Sequence, residues 1–416
     1  MEKLVIEGGC RLNGEVSISG AKNAALPIMV AAILGSGTST IYNVPALRDV
    51  FTMGRLLGRL GTDIDTDGNK VQLNTEGIKS FEAPYDLVKT MRASVLVLGP
   101  LLSRFGKAKI SLPGGCAIGE RPINLHITGL KKMGAEITLS GGYISASAKR
   151  LKGAFLNLDI PTVTGTENLM MAGVLADGLT VIENAACEPE VVDLANALIS
   201  MGADITGAGT GIIKINGVNG LGPLNYKIIP DRIETATFMI AAGITGGNVS
   251  ITDSNPEHVE SVVLKLRETG IEINQENGRI VVNGPGRPKN TDVKTMPYPG
   301  FPTDMQAQFM ALMAISDGTS LITENIFENR FMHVAEMKRM GADIRFEGST
   351  ATVCGVEILK GAPVMATDLR ASVSLVLAGL AAQGKTVIDR LYHLDRGYEK
   401  IEDKLSRLGA RVRRVR

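Results

Sequence analysis

Several features that would assign this sequence to a definite class of protein are missing from it. It has no tryptophan and only four cysteines, which are widely separated and form no CxxC pair: Cys10, Cys116, Cys187 and Cys354. Structural zinc sites and disulfide frameworks use closely spaced cysteines, so we expect neither. The four histidines show no HxxxH-type spacing, so we predict no metal site.

The sequence also has no large excess of either charge sign. The formal net charge is +1, whereas binding to nucleic acid or to an anionic membrane by charge alone needs a concentrated basic surface. The most apolar runs, such as ASVSLVLAGLAAQG, are shorter than the ~20 residues that span a bilayer. The start, MEKLVIEGG, carries charges where a signal peptide has an apolar segment. We expect a cytoplasmic protein with neither nucleic acid nor membrane as partner.

Cofactor motifs are absent too. Glycine-rich phrases such as GAGTG lack the strand–loop–helix setting of a dinucleotide-binding fingerprint, and no Walker motif occurs. The sequence therefore predicts no cofactor.

One short phrase, of the type MGADI, occurs six times. Its glycines recur at an interval of roughly 70 residues: Gly61, Gly134, Gly202, Gly270, Gly341 and Gly409. Apolar residues at helical spacing precede each glycine, as in VVDLANALISMGADI, so the glycine is predicted to cap a helix. Six units, each a helix, a strand, a second helix and a strand hairpin, account for the chain.

The last unit ends in a single strand, and the chain begins with strands that follow no helix. We therefore expect the N-terminal strands to complete the last unit. This predicts two domains, one of residues 22–228 and one of residues 1–21 plus 229–416. The chain would cross between them near Ser19–Lys22 and Lys227–Asp231.

Corresponding helix starts carry residues that suit anions. A helix N-terminus presents free N–H groups and a positive dipole end. The residues at these starts are Lys22, Asn23, Arg92, Thr164, Gly165, Asp231, Arg232, Asp304, Asp368 and Arg370. Several such ends in one cleft would attract phosphates and carboxylates. The alternative, that Asp, Thr and Asn only cap helices, stays open at this point.

The loop LPGGCAIGERP places Cys116 among glycines, five residues before Arg121. A neighbouring cation favours the thiolate, so one interpretation is a nucleophile or a proton donor in a mobile loop. The other is a turn that happens to contain a small residue. Cys10 and Cys354 are predicted to pack in strands, and Cys187 is left undecided.

Longer motifs resemble a known family. SGAKNAALPIMVAAIL, LPGGCAIGERPINLH, VTGTENLMMAG, PYPGFPTDMQAQFMAL, NIFENRFMHVAEMKRMGADI and TDLRAS are similar to those of the UDP-N-acetylglucosamine enolpyruvyl transferases, and the likeness runs from end to end. The resemblance implies a two-domain inverse α/β barrel of six similar units, with the active site in the interdomain cleft. It also implies that the enolpyruvyl group of phosphoenolpyruvate moves to the 3′-hydroxyl of UDP-N-acetylglucosamine and phosphate leaves, the first committed step of peptidoglycan synthesis.

The resemblance assigns roles to individual residues. It makes Cys116 a general acid that can also form a covalent adduct, and Asp304 the base for the sugar hydroxyl; Lys22 and Arg396 complete the catalytic set. Phosphoenolpyruvate would be bound by Lys22, Arg92, Arg121, Arg330, Arg370 and Arg396, and the sugar nucleotide by Asn23, Asp304, Asp368 and the backbone around Ile326. The uridine segment would be Arg121, Pro122, Ile123, Asn124 and Leu125, and the diphosphate loop Val163, Thr164 and Gly165. Asn124 stands where relatives often carry Asp.

The resemblance further implies a target of fosfomycin and a role in cell shape and division. The sequence does not determine the oligomeric state, and a monomer is the favoured expectation. Three other hypotheses stay open. A 5-enolpyruvylshikimate-3-phosphate synthase shares the architecture but lacks the cysteine loop. A ring-shaped clamp would need a cationic inner surface, and an RNA-phosphate cyclase would need an adenylate-accepting histidine.

Overall fold

The computed structural model describes residues 2–112, 123–276, 278–327 and 329–415. The chain forms two compact units. The first unit lies between Gly20 and Ile229, and the second combines residues 2–19 with residues 230–415. Both boundaries between the units fall within the chain segments where a crossing was predicted. The division into domains of residues 22–228 and of residues 1–21 plus 229–416 stays a prediction.

The described residues form 24 strands. They begin with β1 (Lys3–Glu7), β2 (Asn13–Ser17), β3 (Thr38–Tyr42), β4 (Asp63–Asp67), β5 (Lys70–Asn74), β6 (Glu82–Ala83), β7 (Lys107–Ser111) and β8 (Glu136–Ser140). They continue with β9 (Tyr143–Ser147), β10 (Phe155–Asn157), β11 (Leu179–Glu183), β12 (Asp204–Thr206), β13 (Ile212–Asn216), β14 (Asn225–Lys227), β15 (Asn248–Thr252) and β16 (Glu272–Glu276). They end with β17 (Arg279–Asn283), β18 (Val293–Lys294), β19 (Thr319–Thr323), β20 (Asp343–Glu347), β21 (Thr350–Cys354), β22 (Pro363–Met365), β23 (Lys385–Asp389) and β24 (Arg411–Val415).

The same residues form 13 α-helices and five 3₁₀ turns. The helices of the first unit are α1 (Lys22–Ala31), α2 (Arg48–Leu60), α3 (Tyr85–Val88), α4 (Leu98–Phe105), α5 (Asn124–Lys132), α6 (Val163–Gly173) and α7 (Pro189–Ser200). Those of the second unit are α8 (Arg232–Thr245), α9 (Glu260–Glu268), α10 (Gln306–Met313), α11 (His333–Arg339), α12 (Leu369–Ala381) and α13 (Ile401–Arg407). The 3₁₀ turns are Ala32–Leu34, Arg92–Val97, Pro256–Val259, Thr303–Met305 and Leu394–Arg396. Among the described residues, no helix has both the length and the apolar character needed to cross a membrane.

The strands form six four-stranded sheets, three in each unit. In each sheet one pair of neighbours is parallel and two pairs are antiparallel, as in β6–β7–β9–β8. The order helix, strand, helix, hairpin recurs along the chain, so the prediction of six similar units is confirmed. The predicted role of the N-terminus is confirmed as well, since β1 lies antiparallel to β24, with Leu4 opposite Arg414.

Sequence patterns missed a short linking strand that follows each hairpin. In the first unit β6 pairs with β7, β10 with β11 and β14 with β3, all in parallel, so the three repeats close into a ring. In the second unit β18 pairs with β19 and β22 with β23, and the N-terminal β2 pairs with β15. The linking strands are only two to three residues long in five cases, too short to show an alternating pattern.

The first helix of each repeat is buried inside its unit. All eight residues of α10 are buried, and α8, α10 and α12 contact one another. A helix that is apolar on every side is expected in the middle of a core. Each fully buried side chain such as Phe309 or Met310 contributes about 2 kcal/mol of transfer free energy.

The second helix of each repeat lies nearer the surface and ends at the repeated glycine. Helix α2 buries Val50, Met53, Leu56 and Leu57 on one face, and its C-terminal cap Gly61 has φ of 111°. All six repeated glycines have positive φ, a conformation that costs little only for glycine. The predicted capping role is therefore confirmed.

The prediction for Cys10 is wrong. Cys10 lies in the connection after β1, beside Gly9 with φ of 84°, because the strand ends at Glu7. Cys354 does end strand β21, and Cys187 precedes α7 with its thiol donating to the Ala185 carbonyl at 3.6 Å.

Candidate active site

In the first unit, Lys22 begins helix α1 and is almost completely buried. Its Nζ lies 3.3 Å from Oδ2 of Asp49, which is in the first turn of α2 and is also buried. A buried ammonium group needs a nearby carboxylate to offset the loss of hydration. The amphipathic pattern of α2 does not indicate that Asp49 is buried, so the sequence did not predict Asp49 as the partner of Lys22.

His126 joins the two segments predicted to bind the sugar nucleotide. It lies in α5, directly after Asn124 and Leu125, and its Nε2 is 3.5 Å from the hydroxyl of Thr164 at the start of α6. Its Nδ1 is 2.8 Å from the side-chain amide of Asn168. Burial lowers the pKa of His126 to about 4, so the ring is neutral near pH 7.

The predicted diphosphate residues Val163, Thr164 and Gly165 form the first turn of α6. Thr162 caps the helix by accepting a hydrogen bond from the N–H of Gly165 at 3.3 Å. One turn further, burial raises the pKa of Glu167 well above its ordinary value, and the charges of Glu190 and Glu188 raise it further.

The remaining predicted residues of the first unit lie at element starts. Asn23 is in the first turn of α1, and Arg92 begins the 3₁₀ turn Arg92–Val97. Ile123 precedes α5, and Asn124, its first residue, is exposed. Cys116, Arg121 and Pro122 lie outside the described residues.

In the second unit, the predicted residues Asp304, Arg330 and Arg370 come together. Asp304 lies in the 3₁₀ turn before α10. Its Oδ1 accepts from Nη2 of Arg330 at 2.7 Å, and its Oδ2 accepts from Nε of Arg370 at 3.0 Å.

Among the predicted cations that the structure describes, Arg370 is the most buried. Its side chain is 2% exposed, and its guanidinium lies 5.6 Å from the ring centre of Tyr398. Burial lowers the pKa of Arg370, but the charges of Asp304, Tyr398 and Asp231 and the hydrogen bond to Asp304 together raise it above its ordinary value. Within the described part of the chain, Nη1 and Nη2 make no hydrogen bond of ordinary geometry, although the guanidinium lies close enough to the Tyr398 hydroxyl to oppose the rise in pKa that burial causes there. A buried donor without an acceptor is costly, so an anion at this position would be favoured.

Asp368, Arg396 and Ile326 have different environments. Asp368 caps α12 by accepting from the N–H groups of Arg370 and Ala371 at 2.8 and 2.9 Å. Arg396 ends the 3₁₀ turn Leu394–Arg396. Burial is the main cause that lowers the pKa of His393, and the nearby charge of Arg396 lowers that pKa further. Ile326 lies in the turn after β19, where its N–H donates to Glu324 Oε1 at 2.8 Å.

Comparison with known proteins agrees with this architecture. The sequence profile of EPSP synthase (3-phosphoshikimate 1-carboxyvinyltransferase) matches residues 6–405. Proteins named UDP-N-acetylglucosamine 1-carboxyvinyltransferase from Thermodesulfovibrio yellowstonii and Geotalea daltonii are each 61% identical to this chain, and both chains are covered in full. The chain belongs to the EPSP synthase family. It is a transferase, and these relatives place it among the UDP-N-acetylglucosamine 1-carboxyvinyltransferases of that family.

Solved structures support the family fold. The enolpyruvyl transferase NikO from Streptomyces tendae superposes with a TM-score of 0.89 at 25% identity, covering 100% of this chain and 99% of that one. An EPSP synthase from Acinetobacter baumannii gives a TM-score of 0.78 at 19% identity over the full length of both chains, which bears on fold alone. The inverse α/β fold inferred from the resemblance is therefore confirmed.

Three residues that sequence reasoning did not select contact the predicted site residues or their neighbours. Asp49 lies beside Lys22, Thr303 accepts a hydrogen bond from Arg330, and Glu324 accepts one from Thr303. Thr303 adjoins Asp304 in the PTDMQAQ motif, and Glu324 precedes Ile326, so proximity to predicted residues was the only available signal.

Proposed function

We propose that this chain transfers the enolpyruvyl group of phosphoenolpyruvate to the 3′-hydroxyl of UDP-N-acetylglucosamine and releases phosphate. The observation that carries the proposal is the cluster of Asp304, Arg330 and Arg370 in a chain 61% identical to enzymes named for this reaction. The cluster combines a carboxylate that can take a proton with a buried guanidinium that has donors to spare.

Phosphoenolpyruvate is a small, highly charged anion, so several cations must bind it. We assign this role to Lys22, Arg92, Arg121, Arg330, Arg370 and Arg396. The planar guanidinium of arginine matches carboxylate and phosphate oxygens with two parallel hydrogen bonds. Arg370 fits best, because an incoming anion would satisfy Nη1 and Nη2 without displacing the bond from Nε to Asp304.

The reaction balances with two proton-transferring side chains. The 3′-oxygen of the sugar attacks C2 of phosphoenolpyruvate and gives its proton to Asp304, while C3 receives a proton from Cys116. The bond from C2 to the phosphate oxygen then breaks and phosphate leaves. C3 returns a proton to the Cys116 thiolate, which restores the double bond, and the proton held by Asp304 passes to the departing phosphate. Cations around the phosphate favour its departure, because they stabilise the charge that develops on the leaving oxygen.

The sugar nucleotide is assigned to three groups of residues. Ile123, Asn124 and Leu125, with Arg121 and Pro122, would bind uridine, and Val163, Thr164 and Gly165 would bind the diphosphate. The contact from His126 to Thr164 supports this assignment, because it fixes the spacing of the two segments. Asn23, Asp304, Asp368 and the backbone at Ile326 would contact the sugar.

The direct test is turnover with defined substrates. We expect phosphate release only when phosphoenolpyruvate and UDP-N-acetylglucosamine are both present, with a product heavier by the enolpyruvyl group. Shikimate 3-phosphate is the control acceptor, since the EPSP synthases of the family are named for that chemistry. Phosphate release with shikimate 3-phosphate instead of UDP-N-acetylglucosamine would refute the proposed acceptor.

Intact-mass analysis after fosfomycin treatment tests the part assigned to Cys116. We expect one adduct on Cys116, loss of the adduct and of activity in Cys116→Ala, and activity without the adduct in Cys116→Asp, because a carboxyl group can still donate a proton. Cys10, Cys187 and Cys354 serve as internal controls. An adduct on one of these three instead would contradict the assignment.

With this reaction, the chain would act in the cytoplasm, as a monomer and without a cofactor, at the first committed step of peptidoglycan synthesis. Cell shape and division would depend on it through the cell wall.

A further inference from the structure

Glu324 lies immediately after strand β19 and is 3% exposed. Its Oε1 accepts hydrogen bonds from the hydroxyl of Thr295 at 2.8 Å and from the N–H groups of Ile326 and Phe327 at 2.8 and 3.1 Å. Its Oε2 accepts from the hydroxyl of Thr303 at 2.7 Å. Four donors therefore converge on one buried carboxylate, which fixes both the turn after β19 and the Thr303 side chain.

Thr303 connects Glu324 to the Asp304 cluster. Its hydroxyl oxygen accepts from Nη1 of Arg330 at 2.7 Å, while Nη2 of the same guanidinium donates to Asp304 at 2.7 Å. A guanidinium can only donate and a carboxylate only accept, so the single hydroxyl proton of Thr303 points to Glu324. The chain of bonds thus has one direction, from Arg330 through Thr303 to Glu324.

We propose that Glu324 is a positioning residue that controls two parts of the site at once. Through Thr303 and Arg330 it sets the orientation of the Asp304 carboxylate, and through the turn it sets the backbone at Ile326. The inference rests on the proposed function, in which Asp304 takes the proton of the sugar hydroxyl and the backbone at Ile326 contacts the sugar nucleotide. Asp304 and Arg330 are 26 residues apart in the chain, so the backbone between them does not couple the Asp304 carboxylate to the backbone at Ile326. The turn alone does not couple them either.

Glu324 makes one link through Thr303 to Arg330 and one link to the turn after β19, and the two links can be removed separately. Thr303→Val keeps the shape of the side chain but removes the hydroxyl, so Arg330 loses one partner while the turn keeps all its bonds to Glu324. We expect kcat to fall by about ten- to a hundredfold, because a small misplacement of a reacting group has effects of this size. KM for UDP-N-acetylglucosamine should stay within about twofold of the wild-type value, since the Ile326 backbone is undisturbed. Thr303→Ser restores the hydroxyl and should restore most of kcat.

Glu324→Ala removes both branches and should lower kcat and raise KM together. Glu324→Gln is the subtler change. One amide oxygen can still serve the turn, but the amide NH₂ then faces Thr303, so the hydroxyl proton of Thr303 loses its acceptor and the hydroxyl must reorient. We expect Glu324→Gln to behave like Thr303→Val, with kcat reduced and KM nearly unchanged.

Thr323→Val is the matched control. Thr323 directly precedes Glu324, and its hydroxyl lies 3.1 Å from that of Thr350, a contact that does not lead to Asp304. This variant should keep the wild-type kcat and KM. A merely structural role for the network would lower the melting temperature of Thr303→Val without separating kcat from KM.

Steady-state phosphate release with both substrates varied gives the decisive numbers. Wild-type kcat in Thr303→Val, or a loss in Thr303→Val that Thr303→Ser does not recover, would overturn the inference while leaving the proposed function intact. Absence of phosphate release by the wild-type chain would overturn the proposed function and this inference with it.

Discussion

The ion pair between Asp304 and Arg370 makes a quantitative prediction about stability. Asp304→Asn leaves the Arg370 guanidinium 98% buried without its carboxylate, and loss of one partner of a buried pair costs about 3–5 kcal/mol. The Asp304 side chain is 23% exposed, and an asparagine oxygen still accepts one hydrogen bond. We therefore expect the lower end, about 3 kcal/mol of unfolding free energy.

A double-mutant cycle with Arg370→Met isolates the pair. Methionine keeps an unbranched apolar side chain against the Tyr398 ring, and in this variant Asp304 keeps its bond to Arg330 at 2.7 Å. Two unit charges about 4 Å apart interact by about 4 kcal/mol at an effective dielectric constant of 20. Solvent access and the competing Arg330 reduce this, so we expect a coupling energy of about 2 kcal/mol.

Urea unfolding of the ligand-free protein at pH 7, followed by circular dichroism, measures all four members of the cycle. The pair Arg279 and Glu15 is the control, because the two groups lie 2.6 Å apart but are 51% and 49% exposed. Its coupling energy should not exceed about 1 kcal/mol. If the effects of Asp304→Asn and Arg370→Met add to within about 0.5 kcal/mol, the reasoning from burial is wrong.

Two further predictions concern the first unit. Because burial lowers the pKa of His126 to about 4 from 6.5, the neutral ring contributes stability above pH 6.5 that is lost as the pH falls toward 4, about 3 kcal/mol in all. In His126→Asn, the free energy of unfolding measured in urea should fall less steeply between pH 6.5 and 4 than in the wild type. The similar contribution of His333 remains in this variant. An equally steep fall in both proteins would contradict the prediction. Gly99→Ala should cost about 2–4 kcal/mol, because its Cβ would lie 2.4 Å from the backbone oxygen of Asn168, whereas Gly58→Ala in α2, with nothing within 4 Å, should gain about 0.5–1 kcal/mol. Equal melting temperatures for the two alanine variants would refute the argument from close approach.

Much of the fold could be predicted because its signals are local. The glycine after each second helix needs a positive φ wherever it occurs, so Gly61 and Gly202 could be identified as caps without knowing what surrounds them. The single strand at the end of the last repeat identified β1 as its partner by elimination. The linking strands, such as β6 with two residues, were missed because their pairing depends on the next repeat rather than on their own side chains.

The candidate active site was harder to predict from the sequence than the fold. The motifs identified Asp304, Arg330 and Arg370 individually, and Asp368 as either a ligand or a cap; the structure shows that it caps α12. The partners behind them were missed, because a buried polar residue such as Asp49 or Glu324 looks like any other charged residue in the sequence. Cys10 was misplaced since a strand-like pattern does not indicate where the strand ends.

By itself, the sequence determined the number of repeats, the order of elements within them, the capping glycines and the family motifs. Each of these depends on residues close together in the chain, where spacing and backbone conformation decide the outcome. The tertiary structure alone decided that Asp304 lies between Arg330 and Arg370, that Arg370 is buried with donors to spare, and that Glu324 holds Thr303. These contacts join residues 21, 26 and 66 positions apart, and only the packing of separate helices and strands brings them within hydrogen-bond distance.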